Sequence, residues 1–402
     1  MSDQAEVAAT APPEATAAAR RTVPVVGMIG AGQLARMTSQ AATGLGIGFR
    51  VLAASPADSA ALVCQGTRVG DYRSADDLAA FAAGCDVVTF DHEQVPAAAL
   101  AGLARSAAAI RPGPAALRFT QDKRAMREWL TARGIACPEY APVTTAADTG
   151  AFAGRHGWPV VLKAVSGGYD GRGVWVCGDA AEAAAVLAGA AARGIALLAE
   201  QHVAFERELA ALVARSPAKQ GAAYPVVQTV QQDGICREVL APAPGLAPGR
   251  AAEAQHLALR LAAELDVTGL LAVELFETAD GLLVNELAMR PHNSGHWTID
   301  GSRTSQFEQH LRAVLNLPLG DPSPTAPAAV MVNVLGGDDD DLHDRLIHVW
   351  AADPGVKVHL YGKQVRPGRK VGHVTVAGED AAALRDRATR AANYISLGTE
   401  EP

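Results

Sequence analysis

Leu270-Leu271-Ala272-Val273-Glu274-Leu275-Phe276-Glu277-Thr278-Ala279-Asp280-Gly281-Leu282-Leu283-Val284-Asn285-Glu286-Leu287 reads as two apolar strands around a reversal, because Asp-Gly between apolar runs is a strong turn signal. A three-residue loop, Ala279 to Gly281, sets Glu274 directly opposite Glu286, with both carboxylates on one face. A two-residue loop, Asp280-Gly281, would pair Glu274 with Leu287 and turn Glu286 to the other face. Like charges opposed across a ladder destabilise a sheet unless something offsets them. A Mg2+ ion shared with nucleotide phosphates would do so, which makes the three-residue register the one a metal site requires; two solvated glutamates are the plainer alternative.

Immediately downstream, Arg290-Pro291-His292-Asn293-Ser294-Gly295-His296 gathers polar residues where a buried strand ends. Either histidine alone reads as a structural hydrogen-bonding residue, but the cluster beside paired carboxylates points to a catalytic edge. Upstream, Trp158 to Lys163 reads as a strand, Ser166-Gly167-Gly168-Tyr169-Asp170-Gly171-Arg172-Gly173 as a glycine loop, and Val174-Trp175-Val176 as a second strand. Such a loop can fold over a triphosphate through its backbone N–H groups, and the alternative is a plain hairpin loop. Lys163 ends its strand where an ammonium can reach phosphate oxygens, the plainer alternative being a solvated surface lysine.

Further out, Val23 to Gly30 followed by Ala31-Gly32-Gln33-Leu34 reads as strand, tight turn and helix, with later strands at Phe49 to Ala53 and Asp86 to Phe90. The spacing predicts a parallel Rossmann-like unit over 23–120. Gly30-x-Gly32 admits a dinucleotide, a phosphate-bearing substrate, or glycines that serve only the turn. The second strand ends in Ala53-Ala54-Ser55 and lacks the carboxylate a nicotinamide ribose wants. A helix over Asp122 to Arg133, the glycine-loop strands, a helix near 179–192 and a strand Ala196 to Glu200 make a second domain, 121–204. The remainder, 205–395, alternates strands and helices around the hairpin. Near its end, Lys363, Arg366, Arg369 and Lys370 form a basic run suited to a phosphate monoester or simply to a solvated face.

The 402 residues, 49% hydrophobic, allow two or three packed domains, and a net charge of −8 gives no footprint for nucleic acid. Residues 1–22 are Ala-rich and carry no long apolar run, so they read as a disordered leader rather than a signal or membrane segment. Cys64, Cys85, Cys137, Cys177 and Cys236 are scattered, without the spacing of a zinc site or disulfide framework, and read as reduced cytosolic thiols.

Taken together, these segments resemble the N5-carboxyaminoimidazole ribonucleotide synthetase family of ATP-grasp enzymes. The stretches that carry the resemblance are Gly30 to Met37, Gly167 to Gly173, Asn285 to Ala288 with Arg290 to Thr298, and Arg366 to His373. It implies a mixed α/β and α+β architecture: a Rossmann-like preATP-grasp domain, a small central ATP-grasp lid and a C-terminal ATP-grasp domain. It implies that Arg118, Lys163 and Gly168 to Val174 (Gly168, Tyr169, Asp170, Gly171, Arg172, Gly173, Val174) contact ATP phosphates. The hinge Glu200-Gln201-His202-Val203 reads adenine, and Glu208 holds the ribose. Glu274 and Glu286 carry Mg2+, with Mn2+ as a substitute, and Asn285 lies beside them. Gly32, Gln33, Leu34, Glu93, Tyr169, Asp170, Arg172, Lys363 and Arg369 bind aminoimidazole ribonucleotide, and Arg290, His292, Asn293 and Ser294 border the reacting centre. Gln231 stands where relatives often have a nucleotide-contacting histidine, Met289 replaces a common proline, and Ala288 takes the place of an asparagine ligand found in other ATP-grasp enzymes. The implied activity is ATP- and bicarbonate-dependent carboxylation of the ribonucleotide's exocyclic amine in purine biosynthesis, by a cytoplasmic homodimer. The rival readings are a formate-using glycinamide ribonucleotide transformylase, a nucleotide-binding module without turnover, and a dehydrogenase.

Overall fold

The computed structural model describes residues 23–103, 106–168 and 171–399; the stretch read as a leader, 1–22, lies outside them. The first sheet is parallel, with order β3-β2-β1-β4-β5, from β1 (Val25–Ile29), β2 (Gly48–Ala53), β3 (Gly66–Val69), β4 (Val87–Phe90) and β5 (Ala109–Ile110). β1, β2 and β4 are the apolar runs the sequence announces. β3 and β5 are short, and none of their residues is buried, so hydropathy gave no sign of them. The second sheet is antiparallel, order β6-β9-β7-β8, from β6 (Tyr140–Val143), β7 (Val160–Ala164), β8 (Val174–Cys177) and β9 (Leu197–Gln201).

The third sheet absorbs the remaining strands into one antiparallel layer: β10 (Arg207–Arg215), β11 (Gly221–Ala223), β12 (Val227–Gln232), β13 (Ile235–Ala241), β14 (Gly269–Thr278), β15 (Gly281–Ala288), β16 (Ala328–Leu335), β17 (Lys357–Leu360) and β18 (Lys370–Gly378). Its order is β15-β14-β10-β12-β13-β16-β18-β17, with β11 also paired to β10. The hairpin therefore forms one edge of the nine-stranded sheet, and β17 and β18, which flank the basic run, form the other.

One helix locks the first sheet against the third. Gln306–Val314 buries Phe307, His310, Leu311 and Val314, and its Leu311 and Val314 pack on Val26 and Val87 of the first sheet. Phe307 meets Leu34, Met37 and Tyr361, each fully buried side chain contributing about 1.5–3 kcal/mol. His310 makes the polar joint: Nε2 bonds Thr89 Oγ1 at 2.8 Å, and Nδ1 accepts from the Leu270 amide at 3.3 Å. Burial without a charged partner pushes its imidazole down to about 3.

His310 is neutral when folded but titrates normally when unfolded, so between pH 6.5 and 3 the unfolded chain binds the extra proton and stability falls as pH falls. Thermal melts across that window should show this loss, and His310→Gln should flatten the part of the slope below pH 6.5.

Candidate active site

The hairpin reaches the carboxylate pairing by a route neither sequence register contained. Thr278 pairs with Gly281, so the loop is Ala279-Asp280, and the ladder runs in that register through Leu275 opposite Val284. A bulge at Asn285 then shifts it by one residue, and Glu274 faces Glu286. The expected three-residue loop is thus replaced by a two-residue loop plus a bulge, with Asn285 meeting Lys163 and Glu286 meeting Lys123.

Beneath the bulge lies Arg127, fully buried in the helix Lys123–Thr131. Its Nε bonds Glu200 Oε1 at 2.8 Å, while Nη1 and Nη2 donate to the carbonyls of Val284 and Asn285, each at 2.8 Å. Lys163 on β7 donates to the other Glu200 oxygen at 2.7 Å and to Asn285 Oδ1 at 3.0 Å. Burial alone would raise the Glu200 carboxyl, but Lys163 and Arg127 outweigh it and bring it to about 2. The Glu200 side chain therefore holds cations in place; only its backbone and the residues after it remain for a base. Of those, His202 is exposed and Val203 half-buried.

Lys123 pairs with Glu286. Burial works against ionisation of Glu286, but Lys123, Lys163 and Arg127 together hold it below the usual carboxylate range. Glu274 has no such partner: burial, then the facing Glu286 and Glu208, push it up to about 7. The site thus holds one ionised and one reluctant carboxylate. Among the described residues no group of three or more His, Cys, Asp and Glu side chains converges. A hard cation bound through these two would complete its shell with ligand oxygens or water, which suits Mg2+ better than a soft metal. Glu208 on β10 lies near, raised by burial and hydrogen-bonded by Gln231.

The loop after β15 closes the edge. Arg290 Nε donates to Glu93 Oε2 at 2.8 Å, and the Met289 amide to Glu93 Oε1 at 3.1 Å, so the Glu93 carboxylate braces this loop against the first sheet. His292 Nδ1 lies 2.9 Å from Ser294 Oγ, and its Nε2 is 3.6 Å from Glu274 Oε1. Asn293 is set beside the Cys236 thiol, with its buried amide atoms otherwise unpartnered. At the opposite rim Lys363 donates to Gln33, which stands 330 residues away in the chain. Leu34 is buried behind them. Arg369 donates to the Gln364 carbonyl at 3.1 Å, and Arg118 is exposed on the helix Pro114–Gln121.

The glycine turn at 30–32 holds a protein group where the sequence allowed a phosphate. Asp91 accepts from the amides of Gly32 (2.9 Å) and Ala35 (2.8 Å) at the start of the helix Gln33–Gly44. A Cβ on Gly32 would stand 2.5 Å from Asp91 Oδ2. Gly32 therefore serves close approach by a carboxylate, and an anion there would meet like charge. In the glycine loop, Gly171 packs on Gly234 of the β12–β13 turn so closely that a Cβ on either would lie under 3.0 Å from the other's Cα. Gly168, Gly171, Arg172 and Gly173 belong to the described part of this loop, and Val174 opens β8; Tyr169 and Asp170 lie outside the described residues.

Three descriptions of known families match successive parts of the chain: a ribonucleotide synthetase preATP-grasp domain over 23–121, an ATP-grasp domain over 128–307 and a phosphoribosylaminoimidazole carboxylase C-terminal domain over 329–387. The N5-carboxyaminoimidazole ribonucleotide synthase of Mycobacterium tuberculosis (strain ATCC 25618 / H37Rv) is 54% identical over 379 residues, covering 93% of this chain and 88% of that protein. The chain belongs to the N5-carboxyaminoimidazole ribonucleotide synthase family. The synthetase structure from Thermus thermophilus superposes with a TM-score of 0.83 at 37% identity, covering 92% of this chain and 98% of that one. The Aspergillus clavatus enzyme, solved with ADP and 5-aminoimidazole ribonucleotide, superposes with a TM-score of 0.85 at 32% identity, covering 93% and 98%. As a family member the chain is an ATP-grasp ligase, and the preATP-grasp, ATP-grasp and C-terminal parts match the expected fold class.

Sequence reading missed Lys123, Arg127, Asp91 and Gln306. Arg127 had a signal: it falls on the same helical stripe as Leu130, and an unbroken arginine on an apolar stripe needs a buried partner.

Two outcomes follow from this electrostatic frame. Arg127→Met leaves Glu200 half-paired and two carbonyls bare, and should cost about 3–5 kcal/mol in chemical denaturation. Between pH 4.5 and 7 the folded protein keeps a proton on Glu274 that the unfolded chain has lost, so this group makes metal-free protein less stable as pH rises through that window. Melts in EDTA should show the decline, and Glu274→Gln should lack it.

Proposed function

We propose that the chain uses ATP and bicarbonate to carboxylate the exocyclic amine of 5-aminoimidazole ribonucleotide, giving N5-carboxyaminoimidazole ribonucleotide, ADP and phosphate in purine biosynthesis. The observation that carries this is the pairing of Glu274 with Glu286 across the bulge, beside Lys163 and Asn285, in a chain of this family.

The chemical difficulty is that bicarbonate is a poor electrophile and the amine a weak nucleophile. Transfer of the γ-phosphoryl group to bicarbonate gives carboxyphosphate, which breaks down to CO2 and phosphate; the amine nitrogen then bonds the CO2 carbon and loses a proton. The protein's contribution is positioning and charge neutralisation. Glu274 and Glu286 would hold Mg2+, or Mn2+ in its place, and the bound ion would offset charge on the phosphoryl group. Lys163, fixed by Glu200 and Asn285, and Lys123 on Glu286 face the same phosphates. Gly168 to Val174 closes over them and excludes water from the unstable intermediate, Arg118 adds charge at the rim, and Glu200 to Val203 with Glu208 and Gln231 accommodate the nucleoside. Gln33, Leu34, Glu93, Lys363 and Arg369, with Tyr169, Asp170 and Arg172 from the loop, receive the ribonucleotide. Arg290, His292, Asn293 and Ser294 border the reacting nitrogen, where a carboxylate or histidine takes the proton it loses.

A cytoplasmic homodimer is the state this proposal carries; sedimentation of the purified protein tests the assembly. Among the described residues no helix is long and apolar enough to cross a membrane.

ADP release measured with ATP, Mg2+ and bicarbonate should require the ribonucleotide as well as bicarbonate, and formate should not replace bicarbonate. Release indifferent to both would overturn the assignment. Glu286→Ala is expected to abolish turnover while the protein still melts cooperatively; full activity in that variant refutes the metal role.

A further inference from the structure

Among the described residues the loop from His292 to His296 joins no strand ladder. A side chain holds its first residue instead. Gln306, fully buried at the first turn of the helix Gln306–Val314, accepts the His292 amide proton on Oε1 at 2.9 Å and donates from Nε2 to the His292 carbonyl at 2.8 Å. Its carboxamide therefore pairs with both backbone groups of one residue, as a residue on an adjacent strand would. The same Nε2 lies 3.0 Å from His296 Nδ1.

Gln306 is itself fixed. Its amide donates to Thr298 Oγ1 at 2.8 Å, and that hydroxyl donates to the Gly295 carbonyl at 2.6 Å. A Cβ on Gly295 would lie 2.5 Å from Gln306 Oε1, so the glycine makes room for the carboxamide. The helix behind it is the one that His310 ties to β4. Two backbone bonds to His292 fix the direction of its Cα–Cβ bond. The Ser294 hydroxyl at Nδ1 then fixes the ring, with Nε2 toward Glu274.

We propose that Gln306 is a positioning residue for His292, its paired carboxamide setting the imidazole against Glu274 so that the rate of the chemical step depends on it while nucleotide binding does not. This rests on the reading of His292 as part of the reacting centre. A displacement of about 1 Å at such a group costs on the order of a hundredfold in rate.

The test is a double-mutant cycle on the full chain with Gln306→Glu, which keeps the size and the acceptor but loses the donor to the His292 carbonyl, and His292→Ala. Gln306→Glu should lower kcat by roughly ten- to a hundredfold, with the Kd for ADP within about twofold of wild type, and should have almost no further effect once His292 is Ala. A purely structural role would lower kcat by the same factor in both backgrounds, and that result overturns the proposal, as does unchanged kcat in Gln306→Glu. If His292→Ala itself leaves kcat unchanged, the reading of the reacting centre fails, and the proposal falls with it. Should Gln306→Glu fail to fold, Thr298→Val removes the hydroxyl that holds the Gln306 backbone N–H and so loosens the residue that carries the carboxamide: a smaller loss of kcat that disappears in the His292→Ala background supports the proposal, and one that persists there overturns it.

Discussion

The buried guanidinium of Arg127 is the constraint on which the site depends. A charge with no exposure must have its donors satisfied, and this one is satisfied from two different sheets at once: by Glu200 on β9 and by the carbonyls of Val284 and Asn285 on β15. The carbonyls are those at the bulge. A regular ladder at that point would direct them along the sheet, so the charge and the bulge stabilise one another. Glu200, held by Arg127 on one oxygen, holds Lys163 with the other, and Lys163 in turn reaches the Asn285 side chain. One closed circuit thereby sets the distance between the β7–β9 sheet, the Lys163 ammonium and the carboxylate hairpin.

That circuit distributes charge unequally. Lys123, Lys163 and Arg127 lie near Glu286, whereas Glu274 meets mostly other carboxylates and burial, so two chemically identical groups behave differently. The inequality lets the two carboxylates lie close together: one carries its charge against Lys123 and the other avoids carrying it.

The first sheet contributes through its ends rather than its faces. Asp91, just after β4, takes the helix start that the glycine turn exposes, and Glu93, two residues on, takes Arg290 and the Met289 amide. Lys363 reaches Gln33 from the other edge of the large sheet. The cleft is therefore walled by side chains from the two ends of the chain, and the helix Gln306–Val314 keeps the walls in register by packing Leu311 and Val314 on Val26 and Val87.

Local chemistry in the sequence was enough for the elements whose signal is short-range: the strand, turn and helix at Val23 to Leu34, the Asp-Gly reversal, the glycine loop, and the clustering of His292, Asn293 and Ser294 behind a carboxylate strand. Four matching stretches in order were enough for the family. The bulge at Asn285 was not legible, because a one-residue register shift has no composition of its own and exists only where Arg127 draws carbonyls out of the ladder. Nor was the occupation of the glycine turn by Asp91, the division of labour between Glu274 and Glu286, or the grip of Gln306 on His292. Each of these depends on which distant group lies within hydrogen-bond reach of buried or half-buried backbone and side chains, where such contacts decide conformation. Propensity and periodicity act over a few residues, and those contacts join residues 14 to 163 positions apart, which only the packed chain brings together.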